Sequence, residues 1–176
     1  MDVERHAFET ADAAVAVGDR WTAAELGTVL GWSGRLARPD LLWNAWAGRL
    51  LDDDAVAAHV GHTWSLAEYP DAALGHDRWR VLFAAAGYTV DGGAAERPAA
   101  AVELWRGSVP ARRGDWSWSS DWETAGHYAV GGFGRPAGKL YRMVAPAAAL
   151  LCANNGRDEA EFVVDTDHPG VVIMDA

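Results

Sequence analysis

The sequence predicts an α+β protein, with an N-terminal helical region followed by a mixed β-sheet core. Three observations carry this. Through roughly the first ninety residues apolar side chains recur at helical spacing; a polar connector, "DGGAAERPAA" at 91–100, interrupts them; beyond it the period falls to two. The expected boundaries are a helical region over 1–92 and a sheet core over 98–176.

Each element has a local reason. Thr22 and Glu25 in "TAAE" have capping-box spacing, which starts a helix running to about Gly31. "PDLLWNAWAGRLL" sets Leu42, Trp43, Trp46, Leu50 and Leu51 on one helical stripe opened by Pro39 and Asp40. "DDDAVAAHVGHTW" begins another helix, its acids at the positive end of the dipole. "HDRWRVLFAAAGYTV" is a last long helix stopped by Gly87. In the second half "AVELWRG" and "DWSWSS" alternate as strands, setting Trp116 and Trp118 against Ser117 and Ser119. "DWETAGHYAV" is a short helix capped by Asp121 or Ser120, and "GKLYRMVAP", "EFVVD" and "GVVIMD" complete the sheet.

Composition narrows the function classes. A formal charge of −10 argues against a general nucleic-acid surface, because a duplex binder neutralises phosphates with Lys and Arg. Arg106, Arg112 and Arg113 nevertheless cluster before the Trp-rich strand, where a small anion could be met. No apolar run approaches the ~20 residues that span a bilayer, and the acidic N-terminus is unlike a signal peptide. A cytoplasmic protein that does not engage membranes is the expectation. The single Cys152 cannot form an intramolecular disulfide or a thiolate zinc cluster. Ten tryptophans are expected mostly in the core. His59 and His62 share one helix face with no third ligand near, and the "GGFGRPAG" loop at 131–138 precedes a strand instead of opening a helix, unlike a dinucleotide-binding fingerprint. No metal site is expected.

Three segments of the second half stand in a chemically suggestive order: "LWRG", "WSWSSDWETA" and "EAEFVVD". In the last, Glu159 and Glu161 are two apart; in an extended segment both carboxylates look to one face. Together these segments resemble the catalytic core of the ADP-ribosyltransferase family, in the Arg–Ser–Glu subclass that includes cholera-type and clostridial toxins. The resemblance covers roughly residues 101–174. It implies an aromatic-Arg dipeptide ending the first core strand, a Ser-x-Ser strand leading into a helix, and an E-x-E opening a later strand.

On that resemblance Arg106 clamps the diphosphate of NAD and orders the pocket, and Gly107 lets backbone approach the nicotinamide amide. Ser117 and Ser119 fall on the two serines, with Trp118 replacing the middle Thr and Ala125 on the helix Ala; a register on Ser119 and Ser120 is the alternative. Glu161 matches the catalytic acid and Glu159 the acceptor-recognition position. "CANNGR" before them would be a mobile turn presenting the target. Tyr128 or Trp122 would supply a ring against the cofactor, or else pack in the core.

The implied reaction consumes NAD as a substrate and transfers ADP-ribose to a macromolecular acceptor. A protein acceptor is favoured over nucleic acid, and a carboxylate at Glu159 suits an arginine. Glu161 would stabilise an oxocarbenium-like ribose while Ser117 orients it. The alternatives are an NAD glycohydrolase with water as acceptor and a non-catalytic binding module on the same fold. A phosphotransferase acting on RNA is disfavoured by the scarcity of basic residues.

Overall fold

The computed structural model describes residues 2–156 and 158–176, and the chain is α+β. It divides into two compact units between Ala94 and Ala95.

The first unit is built on helices whose ends the sequence closes locally. In α1 (Val3–Val17) the Asp2 side chain accepts from the Arg5 N–H, and the chain leaves through Gly18 at φ 69°, a left-handed conformation that glycine adopts without a Cβ penalty. The expected capping box opens α2 (Ala23–Trp32): the Thr22 N–H donates to Glu25 at 2.8 Å, and the Glu25 N–H to the Thr22 hydroxyl at 3.3 Å. α3 (Arg38–Ala47) follows, then α4 (Asp53–Leu66), capped by Asp52 through the Ala55 N–H at 2.9 Å. A short α5 (Pro70–Leu74) leads into α6 (His76–Ala86). Trp64, Trp79 and Phe83 form the aromatic centre, with Trp64 and Trp79 centroids 5.1 Å apart and edge-on.

Two expectations for this half are corrected. Leu50 and Leu51 are not on the α3 stripe. The helix ends at Ala47, Arg49 turns the chain at φ 62°, and both leucines reach the core from the segment beyond. The helical region also ends in a strand pair, β1 (Thr89–Val90) and β2 (Gly93–Ala94). Its two-residue turn is Asp91-Gly92, with both φ values positive, as such a hairpin requires. The polar "DGG" that reads as linker is that turn.

In the second unit six strands follow the order β6-β7-β4-β3-β5-β8. They are β3 (Val102–Ser108), β4 (Ser117–Ser119), β5 (Lys139–Ala145), β6 (Leu150–Asn154), β7 (Glu161–Val164) and β8 (Met174–Asp175). Every pair among them is antiparallel. β5 buries alternate residues, Tyr141, Met143 and Ala145, and they pair with Arg106, Leu104 and Val102 of β3, so one face of the sheet is apolar core. β6 went unread because its apolar run does not alternate. "GVVIMD" pairs only at Met174 and Asp175.

Helix α7 (Trp122–Ala129) packs on β3, and Gly107 explains how closely. A Cβ built there would lie 2.1 Å from the Ala125 carbonyl oxygen and 2.2 Å from the Ala129 nitrogen, both backbone atoms. Only glycine admits this contact. Five of the ten tryptophans are buried, but Trp122 is 59 % exposed, which removes it from the core expected for it. Among the described residues, no helix is long and apolar enough to cross a membrane.

Candidate functional site

The Arg, Ser and Glu segments occupy three neighbouring strands, β3, β4 and β7. Glu161 pairs with Ser119, and Ser119 with Trp105, so these three side chains leave the sheet on one face. Ser117 lies two residues from Ser119 and shares that face, diagonal to Glu161. It is also the face on which α7 rests, since Gly107 lies two residues beyond Trp105. Glu161 is only 7 % exposed, an unusual place for a carboxylate.

Asn154, the last residue of β6, pairs with Glu161, and its amide Nδ2 donates to Glu161 Oε2 at 3.0 Å. Sequence reasoning missed this residue, having read "CANNGR" as a turn. The segment is a strand through Asn154, with Cys152 fully buried, and the turn starts only at Asn155; Arg157 lies outside the described residues.

Glu159 reaches the site by a different route from the one its spacing suggests. Ala160 has φ 44° and Asp158 φ 55°, so the chain is not extended across E-x-E and alternation does not align the two acids. Hydrogen bonds hold the corner instead. Ser119 Oγ donates to the Glu159 carbonyl at 2.7 Å, the Ser120 N–H donates to the Ala160 carbonyl at 3.1 Å, and the Tyr128 hydroxyl donates to Glu159 Oε1 at 2.9 Å. Left-handed conformations in non-glycine residues cost on the order of 1–3 kcal/mol each and persist where surrounding contacts enforce them.

These bonds redefine several expected roles. The Ser119 hydroxyl gives its one proton to Glu159 and accepts from the Asp121 N–H at 2.9 Å, so it ties β4 to the start of α7 and to the acidic corner. Tyr128 is half-buried, and its hydroxyl anchors Glu159. Gly107 faces the α7 backbone, and the side-chain volume it lacks is taken by that helix.

Arg106 departs most from expectation. Neighbouring Trp105, it leaves β3 on the opposite face, paired with buried Tyr141. Its guanidinium donates to the Arg112 carbonyl at 3.1 Å, the Ser117 carbonyl at 2.5 Å and the Asp115 carboxylate at 3.1 Å. Arg112 reaches the same carboxylate at 2.6 Å. With side-chain exposures of 13 % and 17 %, Arg106 and Asp115 form a largely buried pair that fixes the 112–117 loop and the start of the Ser strand. The guanidinium fork is used for ordering; Arg113, nearby in sequence, is exposed.

Asp121 caps α7, accepting from the Glu123 N–H at 3.0 Å and the Thr124 hydroxyl at 2.7 Å. The Thr124 bond, then the Glu123 N–H, hold its carboxyl below the usual range. In the helical unit His59 Nε2 lies 2.7 Å from the Ala23 carbonyl, which gives that imidazole a packing role.

Comparison of the chain with protein-family models, with curated proteins and with solved structures returned no match.

Proposed function

We propose that the second unit is an ADP-ribosyltransferase-type core that transfers ADP-ribose from NAD to an arginine side chain of a protein. The observation that supports this most is the adjacency of the Glu and Ser strands, which sets a buried Glu161 on the same face as Ser117 and Ser119.

In this reading the bond between nicotinamide and ribose C1′ breaks, and nicotinamide leaves neutral with the bonding pair. The ribose gains positive charge, which the Glu161 carboxylate, held in place before reaction, stabilises. Glu159, fixed by Tyr128, holds the acceptor's guanidinium. One guanidino nitrogen then bonds to C1′ as its N–H bond breaks, and the proton passes to the Glu159 carboxylate. Ser117 orients Glu161 from the diagonal position. Arg106 is a positioning residue, and the diphosphate is met by the exposed Arg113 on the loop that Arg106 organises.

The test is incubation of the protein with NAD labelled in the adenosine portion and a protein acceptor mixture, following nicotinamide release and label transfer. Glu161→Gln is expected to lower both by about 10²–10³-fold, the scale of losing a preorganised electrostatic contact, with its thermal unfolding midpoint preserved. Arg106→Lys, which keeps the charge but cannot reach three acceptors together, should lower both less. Equal labelling by all three proteins rejects the site. Release of free ADP-ribose without protein labelling turns the reading to hydrolysis.

A further inference from the structure

We propose that Asn154 is a positioning residue for Glu161, placed there by a β-bulge and suited to the task because it donates a hydrogen bond without adding charge. The proposal rests on the reading of Glu161 as the acid that faces the ribose.

The register carries the argument. β6 and β7 pair Leu150 with Val164, but next Cys152 with Val163, so Leu151 is an extra residue on β6. Unbroken pairing from Leu150 would bring Ala153 opposite Glu161. With the bulge, Ala153 meets Phe162 and Asn154 meets Glu161. The one-residue slip therefore replaces a methyl group with an amide beside the buried acid. Bulges recur next to active sites, where they re-aim a side chain.

The bonding fits the placement. Nδ2 has two hydrogens; one is directed to Glu161 Oε2 at 3.0 Å and the other towards Cys152 Sγ at 3.7 Å. Because an ionised carboxylate only accepts, the amide must present its nitrogen. Fully buried Cys152 gives the amide a fixed backstop on the same face. A lysine or arginine at this position would cancel the negative field that the reaction needs, whereas a neutral donor orients the carboxylate and favours its ionised form while leaving its charge intact. Among the described residues, the titratable groups linked to this corner are Glu159 two residues before Glu161, Tyr128 from α7, which bonds Glu159, and the Cys152 thiol of β6, which faces the Asn154 amide. On the same sheet face, further along, lies the exposed Glu103–Arg142 pair.

The experiment measures single-turnover nicotinamide release against pH for wild type, Asn154→Ala and the isosteric Asn154→Asp. In Asn154→Ala the acidic limb should move up by about one pH unit, with release at a pH below the limb falling about tenfold and the NAD concentration dependence unchanged. Asn154→Asp should move the limb further, since two adjacent carboxyls resist ionising together. Limbs coincident with wild type in both variants overturn the proposal. If wild type releases no nicotinamide, the NAD reading falls by itself. The Asn154 inference is then decided by the carbon-13 titration of the Glu161 carboxyl, assigned with Glu161→Gln: an upward shift in both Asn154 variants supports the positioning role, and coincident curves refute it.

Discussion

The helical unit and the sheet unit use their polar side chains in opposite ways. In the helices, Asp2, Thr22, Glu25 and Asp52 sit at element ends and satisfy backbone N–H groups, while the interior is mostly Trp, Phe, Leu, Val and Ala, with Thr63 and Ser33 also buried. In the sheet, polar groups that are buried or half-buried bind one another: Asn154 to Glu161, Tyr128 to Glu159, Ser119 to the Glu159 carbonyl. Among the described residues, Glu161 is the most deeply buried charged one, at 7 % exposed. Burying a carboxylate is costly in desolvation, so the hydrogen bond from Asn154 offsets part of that cost. The first unit therefore uses its polar groups at helix ends, whereas the second sets them against one another around a buried acid.

The largest expected effect breaks the packing side of this contrast. Trp64→Ala removes a fully buried indole from the Trp64–Trp79–Phe83 cluster and should cost about 3–5 kcal/mol, read by urea unfolding. A cost below about 1 kcal/mol would mean that the cluster is not the centre of the helical unit.

Next in size is Gly107→Ala, which forces a methyl group into the α7 backbone. Overpacking of this kind costs about 1–3 kcal/mol or more, and here it must also shift Tyr128 and with it Glu159. Loss of stability together with loss of label transfer is expected. An unperturbed variant would show that α7 can move without strain.

The smallest effect sharpens the comparison through pH. The Asp121 carboxyl titrates below its usual range in the folded chain, so the folded state binds its proton less readily than the unfolded chain does. Its contribution is present above the unfolded value near about 4 and is lost as pH falls through the folded value. Asn is also a good N-cap, so Asp121→Asn should match wild type at neutral pH and lose less stability on acidification. Urea unfolding at several acidic pH values checks this, and parallel loss in both proteins would refute it.

What the sequence made legible was local. The capping box, the acid-led start of α4, the stop at Gly87, the alternating strands and the helix after the Ser strand all follow from contacts within a few residues, and they appear in the structure. What was hidden depends on partners distant in the chain. Asn154 meets Glu161 only through pairing of β6 with β7, and the Glu159 corner is set by residues from β4 and α7. Arg106 reads, on the resemblance, as a clamp for a diphosphate, whereas Asp115 and two carbonyls enclose it in the structure. E-x-E was legible as a pair of acids, yet the positive φ of Ala160 is invisible in a residue type that rarely adopts it.

The extra residue in β6 separates two jobs that a hairpin usually combines. Alignment of the acid and the amide is settled upstream, between Leu150 and Cys152, and the far side is tied down at Glu159 and Ala160 by β4. Register is thus set away from the tip that joins β6 to β7, so length and composition at the tip can change while the Asn154–Glu161 pair keeps its place.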